Sequence, residues 1–275
     1  METRPFGSAA IPVPVIGQGT WMMERDDRAS AIAALRRGIE LGMTHLDSAE
    51  MYGSGKVEAI VGEAIRGLRD KIYLVSKVLP SNASYVGTLQ ACERSLKFLK
   101  TDRLDCYLLH WPGSHPLGET IRAFEKLVKD GKIRAYGVSN FDVEGVVEAV
   151  RIAGKGRIAC NQVLYHLSER TVEHELLPYC EKNGIALVAY CPIGAQNFRS
   201  SKDLDEMAKS RNATPRQLAL AFLTRRKGVF AIPKSSVVRH VEENAAAAGI
   251  VLSDDDVRRI DGSHPRGPWR GLATA

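Results

Sequence analysis

The chain has 275 residues, 44% of them hydrophobic and 25% charged, and carries a net charge of +6. That length and composition exclude a disordered chain and a small stapled module, and suit one sizeable domain over residues 1–275. Lys and Arg are interleaved with Asp and Glu and no basic-aromatic cluster stands out, so no nucleic acid is expected; the positive surplus suits a phosphate-bearing small molecule.

Met1 to Ala10 contains no apolar run of the secretory-leader type, and nothing later approaches the roughly 18 apolar residues of a membrane span. A cytoplasmic protein with no membrane association is expected. Cys92, Cys106, Cys160, Cys180 and Cys191 lack paired metal spacing, and most sit in apolar runs. Buried free thiols, with no metal site and no disulfide framework, are expected.

From residue 15 onward, apolar runs recur about every thirty residues, the length of a strand plus its crossover helix. They are VIGQGT (15–20), THLDSA (44–49), IYLVSK (72–77), LDCYLLHW (104–111), IRAYGVSN (133–140), RIACNQVLY (157–165), IALVAYC (185–191) and VFAIPK (229–234). Continuous apolar runs of this kind read as parallel strands buried on both faces. Between them, Ile32, Leu35 and Ile39 recur at helical spacing, as do Leu89, Cys92, Leu96 and Leu99. Thr214 before Pro215 predicts a helix start, and so does Ser253 before three aspartates.

Eight such units predict an α/β fold of the (β/α)8 TIM-barrel type in a single domain, with an open doubly wound sheet as competitor. GQGT (17–20) lacks the third glycine of a dinucleotide fingerprint, which weakens the competitor. In a barrel the active site lies at the C-terminal strand ends. Asp47, Tyr52, Lys77 and His110 all fall there. Singly, each has an ordinary alternative: a turn cap for Asp47, a rim aromatic for Tyr52, a solvent-seeking lysine, a satisfied rim histidine. Jointly, an acid, a phenol, an amine and an imidazole can move a proton at a carbonyl oxygen.

The motifs DSAEMYG, VSKV, LLHWP, GVSNF, NQVLYH, AYCPIG and AIPKS, in this order, resemble the aldo-keto reductase superfamily. The likeness runs from about residue 10 to about residue 262, leaving 263–275 as a short tail. Within the superfamily the chain is most similar to bacterial reductases of methylglyoxal and other small carbonyls. The resemblance implies an NAD(P)H-dependent carbonyl reductase with Tyr52 as general acid. Lys77 would lower the phenol pKa, Asp47 would anchor Lys77, and His110 would orient the carbonyl oxygen.

The same resemblance implies the cofactor contacts. Gly19 and Thr20 match the first strand end, where close backbone approach favours glycine. Ser139, Asn140 and Gln162 match the residues that hold the nicotinamide carboxamide, although polar strand ends also cap helices. Tyr190, with Pro192 in the same motif, matches the aromatic that stacks on the nicotinamide. Lys234 and Ser235 match the grip on a 2′-phosphate, so NADP(H) is favoured, with NAD(H) possible. His240 stands where an arginine commonly completes that grip, which relaxes the preference. Glu243 and Asn244 match positions near the adenine, and Cys191 stands where a serine is common.

Trp21 and Trp111 match the substrate pocket, and the short tail bearing Trp269 suits small aldehydes, dicarbonyls or sugar-derived carbonyls. A monomer is expected. Two alternatives stay open: a nucleotide-binding regulatory subunit of the same fold, and a non-redox barrel lyase or isomerase.

Overall fold

A short antiparallel hairpin, β1 (Thr3–Pro5) and β2 (Pro12–Pro14), comes first in the chain. The structure, a computed structural model, describes residues 1–275 apart from the side chain of Gln196. The hairpin carries no sequence signal of its own. Three-residue strands are too short for a period, and Pro5, Pro12 and Pro14 argue against pairing except at an edge. Its task is to seal one end of the barrel. Phe6 is fully buried and packs against the rings of His45, Tyr73 and Phe230, with centroids 5.7, 5.0 and 4.9 Å away.

Eight parallel strands follow: β3 (Gln18–Gly19), β4 (His45–Asp47), β5 (Tyr73–Val78), β6 (Leu104–Leu109), β7 (Ile133–Ser139), β8 (Ile158–Leu164), β9 (Ala186–Tyr190) and β10 (Val229–Ala231). Each pairs with its successor, and the edges then meet. Ile16 bridges to Ala231 and Gly19 to Lys234, both parallel. At this seam Gly17 N donates to Ala231 O at 2.8 Å and Ala231 N donates to Val15 O at 2.9 Å. Closure leaves no free edge and gives the predicted (β/α)8 barrel, not the open sheet. The first and last strands are shorter than the runs 15–20 and 229–234, because their flanks make only isolated bridges across the seam.

Gly19 acquires a different reason here. A Cβ at this position would stand 2.5 Å from the backbone oxygen of Ile232, so the close approach that demands glycine is to the neighbouring strand end. The expected approach to a cofactor is not needed to explain it.

The helices coat the sheet: α1 (Arg28–Glu40), α2 (Lys56–Ala64), α3 (Tyr85–Leu99), α4 (Leu117–Lys129) and α5 (Val143–Ala153) after β3 to β7, then α6 (Leu176–Asn183) after β8. Two helices, α7 (Lys202–Ser210) and α8 (Pro215–Thr224), separate β9 from β10, and α9 (Val238–Ala246) and α10 (Asp254–Ser263) follow. Leu35 and Ile39 of α1, and Cys92, Leu96 and Leu99 of α3, are buried against the sheet, with Ile32 and Leu89 beside them partly covered. Each fully buried leucine contributes about 1.5–3 kcal/mol. Thr214 and Ser253 head their helices with reciprocal capping boxes, to Gln217 and Asp256. Cys92 and Cys180 lie between helices and sheet, whereas Cys106 and Cys160 lie inside the barrel; all four are buried free thiols. Among the described residues no helix is long and apolar enough to cross a membrane.

Candidate active site

Lys77 is wholly buried, and its ammonium spends all three donors within the protein. They reach Asp47 Oδ1 at 2.6 Å, Ser48 O at 2.8 Å and Tyr52 Oη at 3.2 Å. β4 and β5 are parallel neighbours that pair Asp47 with Val75, so Lys77, two residues further along β5, lies within reach of the aspartate. The other Asp47 oxygen accepts from Gln162 Nε2 at 2.7 Å. Both neighbours of this carboxylate can only donate, which is the pattern an ionised acid requires.

This arrangement fixes the direction of the Tyr52 proton. Its oxygen accepts from Lys77, so its own O–H is left to donate elsewhere. Tyr52 follows β4 and lies edge-on to His110, with ring centroids 5.7 Å apart. His110 N donates to Val78 O at 3.0 Å, and its Nδ1 is buried without a hydrogen-bond partner among the described residues. Burial and then the Lys77 charge push the His110 pKa down to about 2. The ring is neutral and offers one N–H.

Burial pushes the Lys77 pKa down, but Asp47 and Tyr52 raise it more, leaving it above 10.5 and the amine charged. For Tyr52 the balance falls the other way from expectation. Burial raises the phenol above 10.0, and Lys77 only opposes that rise. A phenol brought below its ordinary value is therefore not what this site holds by itself: burial, joined by the Asp47 charge, outweighs the ammonium at 3.2 Å.

Around these four stand the residues matched to the nicotinamide. Asn140 has a left-handed backbone (φ 59°), a conformation asparagine tolerates better than most. Its Nδ2 donates to His110 O at 3.0 Å and its Oδ1 accepts from Tyr190 Oη at 2.9 Å. Ser139 Oγ donates to Gln162 O at 2.8 Å, and Thr20 Oγ1 donates to Asp47 O at 2.7 Å. Thr20 and Gln162 thus also serve as supports of Asp47, a task their motifs did not suggest. Tyr190 is half-buried, Pro192 is buried, and Ala275 N donates to Tyr190 Oη at 3.2 Å. Trp21 and Trp111 are partly buried near the same strand ends, with Trp111 4.8 Å from His110 between ring centroids.

At the seam, Lys234 pairs with the Asp26 carboxylate, which also accepts from Ser236 Oγ at 2.6 Å. Ser235 lies beside Lys234 as expected, in a local turn of its own. Its Oγ accepts from Val237 N at 3.0 Å, and Ser236 is the hydroxyl that shares the Lys234 partner. His240 is exposed on α9, Glu243 pairs with Arg239 at 3.4 Å, and Asn244 is buried. Asp26 carries no sequence signal for this contact, standing beside Asp27 ahead of α1 and 208 positions from Lys234. Asp27 caps that helix, accepting from Ser30 N.

Residues 15–264 match the family model described as the aldo/keto reductase family. The chain belongs to the aldo/keto reductase family. It is 45% identical to methylglyoxal reductase YeaE of Escherichia coli, covering 94% of this chain and 93% of that one. It is 35% identical to the glyoxal reductase of Bacillus subtilis, over 91% and 89% of the two chains. A crystal structure of an aldo-keto reductase from Klebsiella pneumoniae in complex with NADPH superposes with a TM-score of 0.94 at 46% identity, covering 100% of this chain and 99% of that one. The aldo/keto reductase fold and the oxidoreductase class of the enzyme are thereby established, and the regulatory-subunit and lyase or isomerase readings fall away.

Proposed function

We propose that this aldo/keto reductase uses NADPH to reduce small aldehydes, ketones and dicarbonyls such as methylglyoxal to alcohols, as a cytoplasmic monomer. The observation that carries the reading is the complete use of the Lys77 donors, which turns the Tyr52 proton outward. The residues present suit a reduced nicotinamide dinucleotide. Tyr190 offers a half-buried aromatic face, Asn140 and Gln162 offer amides, and Lys234 offers a cation. NADPH when bound supplies the hydride.

Tyr52 donates its proton to the carbonyl oxygen, and with the hydride that a bound NADPH would supply to the carbonyl carbon the product is an alcohol. Lys77 stabilises the phenolate left behind, and Asp47, held by Gln162 and Thr20, keeps the ammonium in place. Neutral His110 directs its N–H to the same oxygen and stabilises the charge developing there. Trp21 and Trp111 flank the carbonyl compound. The names of the E. coli and B. subtilis relatives support a small dicarbonyl. Exposed apolar residues such as Val86, Val147 and Val251 lie on separate surface segments, in keeping with a monomer.

The test is NADPH oxidation with methylglyoxal, glyoxal, glyceraldehyde, nitrobenzaldehyde and keto sugars. The dicarbonyls are expected to give the highest kcat/KM. No turnover of any carbonyl would overturn the reading.

A further inference from the structure

One ion pair spans the barrel seam. Lys234, the cation matched to a 2′-phosphate, is already held by Asp26, and the same carboxylate takes the Ser236 hydroxyl. Arg239, on α9, lies 3.4 Å from Glu243 in an exposed pair within the helix. His240 stands where a second permanent cation would complete the grip. At Lys234 itself, one cation thus faces one carboxylate, so a phosphate arriving there meets a lysine already partnered.

Asp26 has no other evident task. Asp27 caps α1, and the Asp26 carboxylate reaches across the seam from the segment before α1 to the segment after β10. Lys234 and Asp26 are each about one-third exposed, so the pair can open. An incoming 2′-phosphate must take Lys234 and Ser236 from Asp26 and tolerate its negative charge. A free 2′-hydroxyl does not: it can donate to the carboxylate, the way an acidic residue recognises the ribose of NADH.

We propose that Asp26 is a specificity-determining residue that tempers the preference for NADPH over NADH, by occupying the phosphate-binding lysine and by accepting from an unphosphorylated ribose. The proposal rests on the reductase reading of the site, and deepens it.

The test is equilibrium binding of NADPH and of NADH, read by quenching of tryptophan fluorescence, to the parent protein and to Asp26→Asn. NADPH is expected to bind about three- to tenfold more tightly to the variant, the range for releasing a partly exposed ion pair and a like-charge contact. NADH is expected to bind equally or more weakly. In the Lys234→Met background, Asp26→Asn is expected to lose most of that gain, because the carboxylate acts largely through the lysine. Asp26→Ala serves the same comparison should the Asn variant fold poorly. A parent protein that binds NADPH, with a ratio of the two Kd values unmoved by either Asp26 variant, overturns the inference alone. A parent protein that binds neither dinucleotide overturns the functional reading and the inference together.

Discussion

Lys77 Nζ donates to Tyr52 Oη at 3.2 Å while the rest of the ammonium is taken up by Asp47 and Ser48. The lysine therefore cannot itself supply a proton to substrate without breaking a buried contact, and the phenol can. This separates the proton donor from the group that stabilises its conjugate base.

Removing the phenol hydroxyl should remove the proton and little else. Tyr52→Phe is expected to lower kcat by about 10²–10⁴-fold, the usual range for a general acid. NADPH binding, measured by fluorescence quenching, is expected to persist. Turnover equal to the parent would refute the assignment.

Lys77→Met leaves the Asp47 carboxylate buried without its cation. The expected cost is about 3–5 kcal/mol, which for a chain of this size lowers Tm by roughly 6–20 °C. Adding Asp47→Asn should recover part of it, since the uncompensated charge is then gone. Calorimetry on the three proteins decides, and a Lys77→Met variant that melts with the parent would remove the buried pair from the account.

Two histidines set an acid limit on stability. Burial followed by the Lys77 charge holds His45 down to about 3 and His110 down to about 2, against 6.5 when unfolded. Both folded-state values are depressed, so their contribution is full above pH 6.5 and is lost as pH falls from there toward those values. Each should add a slope of about 1.4 kcal/mol per pH unit as the unfolded chain takes up a proton. Urea unfolding at a series of pH values from 7 to 5 measures this, and His45→Phe should remove about half of the two-histidine part. A slope unchanged in that variant would contradict it.

Gly19→Ala should destabilise the protein before any ligand is added, by about 1–3 kcal/mol, because its methyl group would meet the Ile232 carbonyl at the seam. Thermal unfolding without nucleotide distinguishes this from a role confined to cofactor binding. Loss of NADPH affinity at parental stability would point to the cofactor instead.

Much of this was legible in the chain. Strands buried on both faces must be apolar throughout, so the eight runs and their helical partners could be read directly. The motifs at the strand ends named Asp47, Tyr52, Lys77 and His110, and the fold brings all four together. The hairpin escaped, its strands being too short and proline-rich to carry a period. Ser236 and Asp26 escaped because their significance lies in each other and in Lys234, not in their neighbours along the chain.

The sequence by itself determined the repeating units, the burial pattern, the helix caps at Thr214 and Ser253, and the kinds of chemistry available at the strand ends, because each of these follows from residues close together along the chain. Only the tertiary structure decided the partners: Asp47 with Gln162, 115 positions apart, and Lys234 with Asp26, 208 apart. It also decided the sign of the Tyr52 shift. Hydrogen bonds and charge pairs act across about 3 Å of space whatever the separation along the chain. Desolvation depends on everything that surrounds a group, so the contest between burial and Lys77 has no expression in sequence until the barrel closes.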